Sequence, residues 1–421
     1  MLNRVSSPCM KHLVIVGGGA AGFFCAAEAH AQCANLRITI LEKQKQVLQK
    51  VKVSGGGRCN VTHNVDRVSS LVKHYPRGGS FLKKAFSLFN TQSTRNWFEA
   101  RGVSLKTESD GRVFPTTNSS QTIIDCLLRA CESPSISLQL GSEVVGLTYH
   151  APTWNLTLKS GETIKADFVQ LACGGYSKRE QYYWLEALGY PIIEPVPSLF
   201  TFNIAHKPLT ELAGLSVPLA RVHIEGSDIK QEGPLLITHW GLSGPAVLKT
   251  SAFGARFLSE KKYQTGVLVN WLGIPEHEVQ QTWQELRNGL GAQTMGNKNP
   301  FQLPTRLWHY LLHRTGISAD TKWSELGAKP QHKLIHTLCS DRYELAGKTT
   351  FKEEFVTCGG ISLEAIQPTT YESKLHPNLY FGGELLDVDG VTGGFNFQHA
   401  WTSGYLAAHA IAAKMQTTSN H

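Results

Sequence analysis

HLVIVGGGAAG, at residues 12–22, is a short apolar strand that runs straight into a glycine turn. The small, apolar FFCAAEAHA of residues 23–31 follows as a helix, and RITIL at 37–41 reads as a second strand that ends on Glu42. A strand, helix and strand in so short a span predict parallel strands buried on both faces. Gly17, Gly19 and Gly22 form GxGxxG in that context, with Ala21 inside the same turn and Glu42 twenty residues after the last glycine. The first glycine permits the tight turn, the second lets a pyrophosphate approach the backbone, and the third lets helix pack on strand. The helix N-terminus offers free N–H groups and a positive dipole to phosphates. Glu42 can accept hydrogen bonds from a ribose, and its charge opposes a 2′-phosphate. The alternative is a purely structural glycine turn.

The 421 residues predict two or three domains. Apolar residues make up 41%, charged residues 18%, and there are 39 glycines, which excludes disordered, collagen-like and coiled-coil chains. Nine cysteines without any CxxC indicate neither a disulfide framework nor a zinc ribbon, and no His/Cys spacing points to a metal. A reducing cytoplasm is the expected compartment. The N-terminus lacks the order of a signal peptide, and Met10 offers a second start. The most membrane-like stretch, 13–27, is interrupted by glycines and falls short of the roughly 20 residues needed to span. The net charge of +8 is uneven: residues 1–115 hold 17 Lys and Arg against 6 Asp and Glu. That excess suits nucleic acid, a phosphorylated cofactor or simple solubility, and since the charges are spread singly, nucleic acid is not the expected partner.

Farther along, residues 80–100 carry Phe81, Leu82, Ala85, Phe86, Leu88, Phe89, Trp97 and Phe98 at helical spacing, and Asn118-Ser119 caps another helix. From Ile136 alternation takes over, in SLQL, EVVGLTY, WNLTL and ETIKADFVQLACGG, as a β-meander returning to the main sheet. Beyond Pro191, strand patterns at 198–205, 219–224, 234–240 and 266–272 predict a β subdomain. Helices are expected over 275–290, 304–316 and 331–345, with Trp271, Trp283 and Trp308 in the core. Gly-rich strands return in VTCGGI and LYFGGELL, and a helix over about 396–415 closes the chain. The expected division is therefore a first domain over 1–192, completed by 358–421, and an insert over 193–357 with a β part (193–274) and a helical part (275–346).

SGGGRCN at residues 54–60 lies just after the second strand, as an extended loop able to reach the middle of a long dinucleotide. Arg58 supplies a fixed charge there, and Asn60 a donor and acceptor. SGGGRCN, DGRVFP at 110–115, THWGLSGPA at 238–246 and GGELLDVDGVTGGFNFQHAW at 382–401 together resemble the bacterial FAD-binding oxidoreductases of the aminoacetone-oxidase and 3-dehydro-bile-acid-reductase type. The resemblance covers nearly the whole chain. It implies a glutathione-reductase-like FAD-binding Rossmann domain of α/β class, interrupted by an insert with a β-barrel-like part and a helical part. By that resemblance Gly17, Gly19, Ala21, Gly22 and Glu42 hold the ADP half, Lys43 flanks the ribose, and Val144 or Val145 faces adenine through its backbone. Gly174 and Gly175 form a turn beside the dinucleotide, Gly383 and Glu384 lie at the pyrophosphate and ribitol, and Gly57 and Arg58 lie at the flavin. Gly394, Phe395 and Asn396 open a helix whose dipole steadies reduced flavin.

Two departures from the family pattern stand out. Residues 176–179, YSKR, pass directly into a helix where relatives have a longer Gly-rich stretch, and His63 replaces an asparagine. His63 reads as a surface residue, Cys59 as a packing residue without a partner thiol, and His239 with Trp240 as either cavity lining or a strand end. With no second GxGxxG behind a strand, NAD(P)H is expected only as a transient donor. The implied activity is FAD-dependent hydride transfer with a small organic substrate, catalysed with Arg58 and Asn60, while the insert covers the substrate side. A flavin-dependent RNA-modifying factor and a flavin-binding protein without turnover remain as alternatives.

Overall fold

The computed structural model describes residues 10–348 and 356–419. The chain divides into two units, Met1–Pro195 with Val356–His421, and Val196–Phe355.

The first unit is built on a five-stranded parallel sheet in the order Leu379–Phe381, Phe168–Leu171, Lys11–Val16, Leu36–Glu42, Ile136–Leu140. Leu13, Val14 and Ile15 are fully buried, and Leu13 and Ile15 share one core with Phe23, Ala27 and Ala407 from the helices that cover that face of the sheet. Two helices pack directly on one another, Ala20–Gln32 behind the glycine turn and the C-terminal Phe395–Ser419. Close approach is possible because Gly404 has no side chain; a Cβ there would stand 2.6 Å from the Ala21 carbonyl oxygen. A Cβ on Gly22 would meet the Gly17 carbonyl at 2.1 Å, so the turn closes only with glycine at that position.

Three expectations are corrected in this unit. Ile136–Leu140 is not part of the meander but the outer parallel strand beside Leu36–Glu42, with side chains from Ser137 to Leu140 exposed, as suits an edge. The meander itself is Val144–His150, Thr153–Leu158 and Thr163–Ala166, with Trp154, Leu156 and Leu158 alternating inward. Residues 80–100 form two helices, Gly79–Phe86 and Thr91–Glu99, because the Asn90 side chain accepts the Ser93 N–H and restarts the helix. SGGGRCN is not an extended loop. It ends the helix Gln49–Gly57 in a left-handed turn, with Gly55, Gly56 and Gly57 all at positive φ.

In the second unit six strands among the described residues close an antiparallel barrel: Phe202–Ile204, Gly241–Ser243, Lys230–Thr238, Ser216–Ile224, Gly266–Asn270 and Asp341–Lys348. Helices Glu276–Leu290, Thr305–Thr315 and Ala328–Ser340 share its core, and Trp271, Trp283 and Trp308 are buried there. The helix expected to reach residue 345 ends at Ser340. Leu334, Ile335 and Leu338 make its apolar stripe, but the next helical position is Arg342, and from there Tyr343 and Leu345 alternate inward as a strand. Asp341 anchors the switch, accepting bonds from Trp271 Nε1 (3.0 Å), Arg314 Nε (2.7 Å) and the Tyr343 hydroxyl.

Candidate dinucleotide and flavin site

The C-terminal ends of the central strands, the helix starting at Ala20 and the start of the C-terminal helix surround the candidate site. Gly17 N–H donates to the Leu41 carbonyl (2.8 Å), which fixes the turn against the second strand. No side chain caps the helix at Gly19, so its first N–H groups are left for a ligand. Open space faces Gly19 and Gly174: a Cβ at either would find no atom within 4 Å. Small residues, Ala21, Ala172 and Ala400, cluster alongside, and Gly383 stands next to Ala21 and Ala400. This cradle of bare backbone and methyl groups fits a pyrophosphate and a ribityl chain.

Glu42 is already engaged by the backbone. Its Oε2 accepts the Gly18 N–H and its Oε1 the Gln44 N–H, both at 2.8 Å, and its remaining lone pairs are open to the cleft. The cleft beside it is lined by Lys43, Val145, Cys173, Tyr176 and Trp184. Tyr176 and Trp184 were not picked out by the sequence reading; their signal was the aromatic density of residues 176–184 directly after the ACGG turn. Lys43 Nζ lies 5.7 Å from the Tyr176 ring centroid. Flat walls of this kind suit a purine.

At the other end Arg58 is not a bare charge. Its Nη1 donates to Glu108 Oε1 at 2.6 Å, and its guanidinium lies 4.0 Å from the Phe114 ring centroid, so SGGGRCN and DGRVFP are held together. Asn60 is buried, with an Oδ1 that has no partner, 2.9 Å from where a Gly394 Cβ would stand. An orphaned buried acceptor beside a helix start is a vacancy in hydrogen bonding that a bound group can fill. Cys59 is fully buried and burial pushes its thiol up to about 12, the opposite of the lowering a reactive thiol needs.

The glycine-rich C-terminal segment is more committed than its sequence implied. Glu384 Oε1 accepts the Thr357 N–H at 2.8 Å, and its other oxygen pairs with Lys50. Asn396 grips Gly390 through both its amide atoms, at 2.8 and 2.9 Å, so its side chain shapes the loop instead of reaching outward. Phe395 is buried with His74 stacked on it at 4.3 Å and His63 at 4.8 Å between ring centroids. His63 is therefore half-buried and not a free surface residue; its Nδ1 also lies 3.1 Å from the Gly393 carbonyl. Arg77 and Asp389 form a buried ion pair behind this loop. Neither His74 nor that pair was picked out from the sequence, since the residues lie more than 300 positions apart from their partners. In the second unit, Trp240 is exposed where strands Lys230–Thr238 and Gly241–Ser243 turn. Among the described residues no three His, Cys, Asp or Glu side chains group to hold a metal, and no helix is long and apolar enough to cross a membrane.

An uncapped helix on a glycine turn, an acid at the end of the second strand and a second glycine-opened helix define an FAD-type Rossmann domain. The chain belongs to the family described as HI0933-like protein Rossmann domain, whose model matches residues 11–410. Among its relatives, the ribosomal RNA dihydrouridine synthase of Escherichia coli K12 is 32% identical over 412 residues, 95% of this chain and 98% of that one. The 3-dehydro-bile acid delta(4,6)-reductase of Clostridium scindens is 27% identical over 416 residues, 96% of this chain and 100% of that one. A solved quinol-fumarate reductase shares the fold at 13% identity and a TM-score of 0.50, covering 97% of this chain and 72% of the other.

Proposed function

We propose that the chain is an FAD-dependent reductase that saturates the C5=C6 bond of uridine in ribosomal RNA. The end-to-end 32% identity to a protein of that name carries the reading, and the cradle described above supports the cofactor. Bound FAD would supply the hydride, and NAD(P)H docking transiently would be the source of its two electrons. Gly17, Gly19, Ala21, Gly22 and Glu42 would hold the ADP half, Lys43 and Val145 the adenosine walls, and Gly174, Gly383 and Glu384 the middle. Gly57, Arg58, Asn60, Gly394, Phe395 and Asn396 would surround the flavin.

Uracil and a 3-keto steroid with a conjugated double bond present the same problem: a carbon–carbon double bond made electrophilic by a carbonyl. Hydride adds to the far carbon, negative charge collects on the carbonyl oxygen, and a proton completes the near carbon. The chain's contribution is to hold the ring, exclude water and place positive potential where that charge develops, for which the start of the C-terminal helix and Arg58 are suited. The small-molecule enone is thus the second reading, favoured by the 27% relative.

The test begins with the visible spectrum of the purified protein, chromatography of the released cofactor, and anaerobic bleaching by NADH and NADPH. Ribosomal RNA lacking dihydrouridine and a steroid enone are then offered to the reduced protein, and mass spectrometry looks for a gain of two hydrogens. Reduction of uridine supports the first reading; turnover of the enone alone replaces it with the second. A protein that cannot be loaded with flavin overturns both.

A further inference from the structure

Residues 67–98 contain six Arg and Lys and no Asp or Glu. The structure gathers this stretch into a short helix Val68–Leu71, a single turn Val72–His74 and the helix Gly79–Phe86, which pack on one another. Two of the six cations are occupied: Arg77 with Asp389, and Arg95 with Asn64 and Thr107. The other four, Arg67, Lys73, Lys83 and Lys84, are exposed, and none pairs with a carboxylate among the described residues. On Gly79–Phe86 the division of faces is clean. Phe81, Leu82, Ala85 and Phe86 are buried, while Ser80, Lys83, Lys84 and Ser87 form the solvent stripe at i, i+3, i+4 and i+7.

This basic face is tied to the candidate flavin end. The Val391 N–H donates to the His74 carbonyl (2.9 Å), and the His74 ring stacks on Phe395, the first residue of the C-terminal helix. Lys73 is therefore one residue from a side chain in contact with that helix start. A small enone has no use for four unpaired cations outside the site, whereas a polyanion whose base enters the site must lay its flanking phosphates on the surrounding surface.

We propose that the face formed by Arg67, Lys73, Lys83 and Lys84 is the phosphate-binding track that holds RNA while one base enters beside the C-terminal helix start. The inference rests on the RNA reading above and names the surface that would serve it. Phosphate contacts of this kind position the strand and carry little sequence information.

The quadruple variant Arg67→Gln, Lys73→Gln, Lys83→Gln, Lys84→Gln is compared, as FAD-loaded full-length protein, with wild type and with a control variant, Lys261→Gln, Lys262→Gln, Lys329→Gln, Lys333→Gln. The probe is a labelled RNA stem–loop with unpaired uridines, titrated over a range of salt, and NADPH bleaching of the flavin is measured on each protein. The proposal expects the first variant alone to lose affinity about tenfold or more and to flatten the log Kd against log salt slope by up to about 3.6, at roughly 0.7 to 0.9 per phosphate contact. Its flavin content and bleaching rate should match wild type. RNA binding that is unchanged in the first variant, or equally weakened in the control, overturns the surface and leaves the RNA reading standing. Wild-type protein that binds no RNA, or that binds anionic phospholipid vesicles instead, overturns both.

Discussion

Replacing Glu42 by Gln tests the cofactor assignment most directly, because the structure gives that carboxylate two duties that can be measured separately. Both oxygens already take a backbone N–H, from Gly18 and from Gln44. An amide has one acceptor oxygen, so one of those two N–H groups must lose its partner or turn to water. That contact is half-exposed, so the cost to the apoprotein is at the low end of the range for a lost bond to a charged group, about 1.5 kcal/mol. The second duty arises only with ligand. The lone pairs that remain would accept ribose hydroxyls, and losing a charge-assisted bond costs about 1.5 to 3 kcal/mol, or roughly ten- to a hundredfold in Kd. The assay is an FAD titration of apoprotein by flavin fluorescence, alongside a denaturant curve of the apoprotein. A slightly destabilised apoprotein whose FAD affinity is unchanged within about twofold would refute the reasoning, because Glu42 would then be a backbone cap and nothing more.

Gly22→Ala should destabilise by about 1 to 3 kcal/mol or more through overpacking against the Gly17 carbonyl, while Gly56→Ala, with nothing near its Cβ position, should cost only about 1 to 2 kcal/mol of left-handed strain; equal urea midpoints would contradict this. Arg77→Leu removes the cation paired with Asp389, which is fully buried, and should cost about 3 to 5 kcal/mol, with the double variant Arg77→Leu, Asp389→Leu recovering much of it; a single variant as stable as wild type would show that the pair is dispensable. Burial disfavours the charge on Glu28, but bonds from His409 and Trp97 and the Arg101 charge prevail and hold its carboxyl below the usual glutamate range. A lowered folded pKa means stability that is present above the unfolded pKa and is lost as pH falls through the folded one. Glu28→Gln should therefore flatten the acid limb of the stability profile, and an unchanged limb would assign acid unfolding to other groups. Arg58→Ala should slow substrate reduction on FAD-saturated protein by at least about tenfold, less than an unpaired charge would give because Glu108 already offsets it; lost FAD occupancy with a normal rate would move Arg58 to the cofactor contacts.

The glycine turn and its flanking strands were legible in the sequence because their geometry is local. Strand, turn, helix and acid all fall between His12 and Glu42, and each one's place follows from backbone geometry within a few positions. The same locality explains the reading of the core tryptophans and of the helices at 276–290 and 305–315. Reading was weakest where two patterns share a period: SLQL alternates like a meander strand, yet only pairing with Leu36–Glu42 makes it the edge of the main sheet. Three glycines in a row say that the chain bends but not how, and the left-handed turn at the end of Gln49–Gly57 was decided by its packing against Asn60 and Phe114.

The sequence by itself thus determined the glycine turn, the helix behind it and the acid at the end of the second strand. Tertiary structure alone decided which of the site's side chains are spoken for: Arg58 by Glu108, Glu384 by Lys50 and Thr357, Asn396 by Gly390, and Phe395 by two histidines. The reason is physical. Backbone conformation depends on neighbours along the chain, whereas the partner of a charge or a ring is set by what the fold brings to it, often from hundreds of residues away.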